Sequence, residues 1–80
     1  MNKVSLDFVA VSDGYMACTL EDAELLALRY HPTIRNFEYV EISDGNAWFE
    51  FESLQSDDYG NECWIDDGIE FDILENVKHR

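Results

Sequence analysis

The sequence predicts an α+β fold, one helix packed on an antiparallel sheet of three to five strands in the order β-α-β-β-β. Three observations carry this. Apolar residues at a spacing of two open the chain, a capped segment with apolar residues at helical spacing follows, and an Asp-Gly turn separates two long alternating segments. Eighty residues make a single domain, 1–80, which buries only about 60% of the surface that its unfolded chain exposes. The 46% hydrophobic and 14% aromatic content belongs to a folding sequence, so the acid described below is added to a core and does not replace one.

Val4, Leu6, Phe8 and Ala10 alternate with Ser5, Asp7, Val9 and Val11, a strand buried on one face and partly covered on the other. Ser12-Asp13-Gly14 breaks it. Thr19 followed by Asp22 starts a helix as a capping-box-like pair, with Glu21, Asp22 and Glu24 at the positive end of the helix dipole and Pro32 as the stop. Leu20, Ala23, Leu26, Ala27 and Tyr30 share one face of roughly three turns, which should cover one side of the sheet. Ser43-Asp44-Gly45-Asn46 then predicts a tight hairpin between Phe37–Ile42 and Ala47–Leu54. Plain alternation from that turn pairs Ile42 with Ala47, Val40 with Phe49 and Glu38 with Phe51 on the core face. It pairs Glu41 with Trp48, Tyr39 with Glu50 and Phe37 with Glu52 on the other. Gln55–Glu62 reads as a polar loop, and Cys63–Ile65 with Ile69–Leu74 as one broken strand or a second hairpin about Asp67-Gly68. In that last segment Ile69, Phe71 and Ile73 point inward.

Eighteen acidic side chains stand against five basic ones, a net charge of −13 that internal pairing cannot neutralise. The distribution is lopsided. From Asn36 to Val77 there are thirteen carboxylates and no Lys or Arg, and the same stretch holds both Trp, four of the five Phe and two of the four Tyr. Acid at this density strengthens self-repulsion, and Gln, Ser or Thr would serve the fold as well. Such a field repels DNA, RNA and anionic membranes and speeds encounter with cationic surfaces, so the expected partner is a Lys/Arg-rich protein surface built to hold nucleic acid. The candidate partner-binding residues are Tyr39, Glu41, Trp48, Glu50, Glu52, Asp66, Asp67, Glu70 and Asp72. The carboxylates supply charge at strand spacing, and Trp48 or Tyr39 an aromatic anchor.

Other chemistries find little support. Asp57-Asp58-Tyr59-Gly60-Asn61-Glu62 lacks the alternating ligands and sixth-position Gly of a calcium loop, and His31 and His79 have no metal-ligand spacing to Cys18 or Cys63. No Ser-His-Asp set, phosphate loop or nucleophile elbow is present, so the expectation is no catalytic residue, no cofactor and no metal. Two unpaired, buried thiols in a reducing cytoplasm are expected of Cys18 and Cys63. The alternating N-terminus lacks the apolar core of a signal peptide, and no apolar run is long enough to span a bilayer.

Short length, one domain, dense acid and missing catalytic residues together resemble small phage-type inhibitors, the anti-CRISPR and anti-restriction proteins that imitate nucleic acid. This is a resemblance of class and carries no aligned motif. It implies a stoichiometric inhibitor acting in the host cytoplasm on a CRISPR effector or another defence nuclease. The same electrostatics suit an immunity protein or antitoxin that neutralises a toxic nuclease. An acidic adaptor or oligomer subunit is the alternative of a different class.

Overall fold

The computed structural model describes residues 4–74 of the chain. The elements are β1 (Ser5–Ser12), β2 (Tyr15–Thr19), α1 (Leu20–Ala27), β3 (Ile34–Ser43), β4 (Asn46–Ser56) and β5 (Glu62–Ile73). One antiparallel sheet holds all five strands in the order β2-β1-β5-β4-β3, with the helix on one face. The α+β class is therefore correct, and the order gains a strand before the helix.

That extra strand comes from Asp13-Gly14. Both residues take positive φ, 51° and 85°, and fold β2 back on β1, with Ser12 opposite Tyr15 and Ala10 opposite Ala17. Asp44-Gly45 does the same for β3 and β4 with φ of 54° and 82°, the backbone that a two-residue hairpin turn with right-handed strand twist requires. Thr19 ends β2 and caps the helix, its Oγ1 accepting from Asp22 N at 3.1 Å. The helix stops at Ala27, a turn earlier than its apolar spacing suggests. The turn that follows it is tied to the β1–β2 hairpin: Tyr30 Oη donates to Asp13 Oδ2 at 2.6 Å, and the Arg29 guanidinium stacks 4.3 Å from the Tyr15 ring centroid.

Ala23, Leu26 and Ala27 of the helix bury against Phe8, Ala10 and Ala17, and the cluster continues through Ala47, Phe49, Phe71 and Ile73. Phe49 is its centre. Its ring meets those of Phe8, Phe37, Tyr39 and Phe71 at centroid distances of 5.1–6.4 Å, while its own side chain is fully buried. Small alanines beneath the helix let it lie close to the sheet, and the aromatics fill the remaining width.

The second half of the chain differs from the loop and broken strand expected of it. β4 runs on to Ser56, the loop shrinks to Asp57–Asn61, and β5 is one unbroken strand through Asp67-Gly68, paired residue for residue from Ser56↔Glu62 to Asn46↔Asp72. The turn is made by Asp57, whose Oδ1 accepts from the backbone N–H of Tyr59 at 2.8 Å and of Asn61 at 2.9 Å. Those donors hold the Asp57 carboxyl below its usual range. Cys18 and Cys63 are free, as expected, but exposed and not buried, because each falls on a strand position that the helix does not cover.

Candidate partner-binding face

Register decides which side chains meet on the face of the sheet opposite the helix. β4 presents Trp48, Glu50 and Glu52 there, and its neighbours complete three rows: Glu41–Trp48–Glu70, Glu38–Glu50–Gly68 and Arg35–Glu52–Asp66. Asp72 continues the face opposite Asn46. Rows lie about 6–7 Å apart along the strands, and neighbours in a row about 5 Å apart. Seven carboxylates thus share one open surface. An open trough of about 550 Å³ runs between them, lined by Glu38, Glu50, Glu52 and Asp66 around Trp48 and Gly68.

Seven of the nine predicted partner-binding residues lie on this face: Glu41, Trp48, Glu50, Glu52, Asp66, Glu70 and Asp72. Tyr39 does not, and Asp67 borders the trough from a ladder position of the opposite phase. Between Glu41↔Trp48 and Tyr39↔Phe49 the partner strand advances one residue while β3 advances two, so Val40 is a bulge. The bulge reverses the alternation behind it. Tyr39 turns to the helix side, 5.3 Å from the Phe8 ring and 5.7 Å from that of Phe49, and Glu38 takes the outer place opposite Glu50 that alternation assigns to Tyr39. A second bulge at Asn36, with φ of 55°, restores the phase and brings Arg35 opposite Glu52. The predicted pairs Val40–Phe49, Glu38–Phe51, Tyr39–Glu50 and Phe37–Glu52 are all replaced for this reason. Asp67 lies opposite Phe51 on the helix side, its Oδ2 3.7 Å from His31 Nδ1.

Trp48 is not a free anchor. Its six-membered ring lies over Gly68 so closely that a Cβ there would collide with it, and its indole N–H donates to Glu50 Oε2 at 2.9 Å. Trp64 is likewise covered, by the Arg35 guanidinium 4.2 Å from its ring centroid. The same guanidinium donates from Nε to Glu52 Oε1 at 2.6 Å, and Asn36 Nδ2 adds a 3.0 Å bond to that oxygen. Arg35, followed by Asn36, holds the Glu52 carboxyl below its ordinary value. The acidic run that begins after Arg35 in sequence is therefore bordered by Arg35 in space. Glu38, Arg35 and Asn36 are the residues that sequence reasoning missed, and their places depend on bulges.

Comparison with protein families, curated proteins and solved structures gives no match to this chain. What the site can do is therefore read from its chemistry. Among the described residues no three His, Cys, Asp or Glu side chains converge as a metal-binding group, and no helix is long and apolar enough to cross a membrane. The acidic strands hold Glu38 directly against Glu50 and Glu52 against Asp66, arrangements that repel when the face is bare. A cationic surface laid on it would convert each repulsion into attraction.

Proposed function

We propose that this chain is a non-catalytic inhibitor whose outer sheet face occupies the basic, nucleic-acid-binding surface of a defence nuclease or CRISPR effector in the cytoplasm. One observation carries the reading: among the described residues seven carboxylates gather on the face opposite the helix, with Arg35 as the cation among them. The groove's Lys and Arg would meet fixed carboxylates in place of phosphates, and nucleic acid could enter only after the inhibitor left. β-strands suit such a task because the pleat fixes carboxylate spacing without the entropy of ordering a loop. Beside the acid, Val9, Val11 and Met16 extend the same face as an apolar flank, Val11 lying opposite both Asp72 and Met16. This flank offers the partner a dry edge next to the charged rows.

The test is capture from host lysate on the immobilised chain at low and at high salt, with identification of what is retained. The reading expects a nucleic-acid-binding protein, released by salt and displaced by its own nucleic acid. Retention of a protein that nucleic acid does not displace would overturn it.

A further inference from the structure

The β4–β5 hairpin outruns its neighbours. β3 ends its pairing at Ile34↔Ser53 and β1 meets β5 only at Ala10 and Val11, so from Gln55 to Cys63 the chain is a two-stranded ribbon with no third strand among the described residues. Its tip is firmly tied. The successive backbone N–H groups of Tyr59, Gly60 and Asn61 all donate to Asp57, the first and last to Oδ1 and that of Gly60 to the carbonyl at 3.1 Å, while Asp57 N donates to the Asn61 carbonyl at 2.8 Å. Tyr59 rides on this turn 89% exposed, more than any other large hydrophobic residue among those described. The turn itself does not call for an aromatic residue. Gly, Asn, Asp or Ser would fill the position at least as well, and an exposed ring contributes no burial to the free chain.

We propose that Tyr59 is the aromatic anchor of the partner interface and enters an apolar slot, rimmed by Lys or Arg, on the cationic partner protein. Trp48 and Tyr39 are occupied within this chain, on Gly68 and on the Phe8–Phe49 cluster, and leave the acidic face without an aromatic anchor among its own rows. The ribbon carries that face onward to Tyr59. Leu54–Trp64 and Ser56–Glu62 follow the row Arg35–Glu52–Asp66 in the same phase, and Ser56, where the turn begins, lies about 13 Å past Glu52 along the strand. Asp58 and Glu62 flank the ring in sequence and are exposed, so a slot that admits Tyr59 needs a cationic rim to receive them. A ring held on a fixed backbone loses little freedom on docking, which is what lets an aromatic side chain dominate an interface. The proposal rests on the cationic-partner reading for its partner and adds to it the residue that supplies contact beyond charge.

The probe is the protein that the immobilised full chain captures from lysate and that high salt releases, titrated at one fixed salt concentration. Tyr59→Ala is expected to weaken its binding about tenfold or more, with the melting temperature and the salt slope of binding unchanged, because the ring carries no charge and is not packed in the free chain. Tyr59→Phe keeps the ring and should retain most of the affinity. A benzophenone side chain in place of Tyr59 should cross-link to the captured protein, and the same group in place of Leu25, exposed on the helix, should not. Full affinity in Tyr59→Ala, beside a loss in Glu50→Lys with Glu52→Lys, overturns the anchor and leaves the charged face standing. Full affinity in both variants, or capture of no protein that salt releases, overturns the two together. A fall in melting temperature that accompanies the loss in Tyr59→Ala gives the ring a part in holding the turn and overturns the proposal.

Discussion

Gly68 lacks a side chain because Trp48 occupies the space one would need. Replacing it by Val would drive the indole off the sheet and break the bond to Glu50, at a cost of about 1–3 kcal/mol. The expected readouts are a lower melting temperature and a red-shifted tryptophan emission, and unchanged emission would show that the ring does not rest there. Asp57 supports a different prediction. Its carboxyl is held below the usual range by the backbone N–H groups of Asn61 and Tyr59, so its contribution exists above the unfolded carboxylate pKa and disappears as pH falls through the depressed folded value. Asp57→Ala should therefore melt below the wild type at pH 7, and the two curves should converge in strong acid. Arg35 acts on Glu52 in the same direction. At this scale the sequence is legible where a residue acts on near neighbours, as Thr19 does on Asp22. It is silent where Arg35 meets Trp64 and Glu52 across the sheet, since those partners are chosen by register.

The bulges are what separate the elements as expected from the elements as they stand. Drawing Val40 into the ladder would turn Tyr39 outward and press Glu38 toward the Phe8–Phe49 cluster, whereas deleting Val40 removes the bulge and leaves Tyr39 opposite Phe49 and Glu38 opposite Glu50. The deletion should therefore keep a cooperative denaturant transition, at a cost of about 1–2 kcal/mol. A lost transition would mean that Val40 is a ladder residue and that plain alternation sets the phase of Tyr39 and Glu38. The hairpin at Asp44-Gly45 is legible because the dipeptide sits between long alternating runs. Asp13-Gly14 is the same signal, and it turns the chain in the same way, but the short Tyr15–Thr19 run behind it carries only Ala17 as a buried residue. β5 hid for another reason. Asp66-Asp67-Gly68 has the composition of a turn, and it stays extended because β4 pairs with every residue of it and Trp48 fills the place above the glycine. The bulges at Asn36 and Val40 have no such signature in the residues themselves, so the hairpin's existence could be read and its far register could not.

Across the whole molecule, polarity is divided by the sheet: a helix and an aromatic core on one side, rows of acid on the other. Net charge was legible from composition, and the alternation of Ala47–Leu54 and Ile69–Leu74 already turned Glu50, Glu52, Glu70 and Asp72 to one face. The edges of that face depended on the bulges. A chain carrying −13 in free solution should be stabilised by screening, so its melting temperature should rise from 10 mM to 500 mM NaCl. Partner binding should respond to salt in the opposite direction, because the same repulsion that weakens the free chain becomes attraction in the complex. This opposition separates an interface made of charge from a surface that is acidic only for solubility. It is read most directly as the slope of log affinity against log salt for the captured partner, in the wild type and in a variant with Glu38, Glu50 and Glu52 changed to Gln and Asp66 to Asn. A steep wild-type slope that flattens in the variant, with folding intact, is the predicted result. Equal slopes in the two proteins would contradict the claim that this face meets a cationic surface.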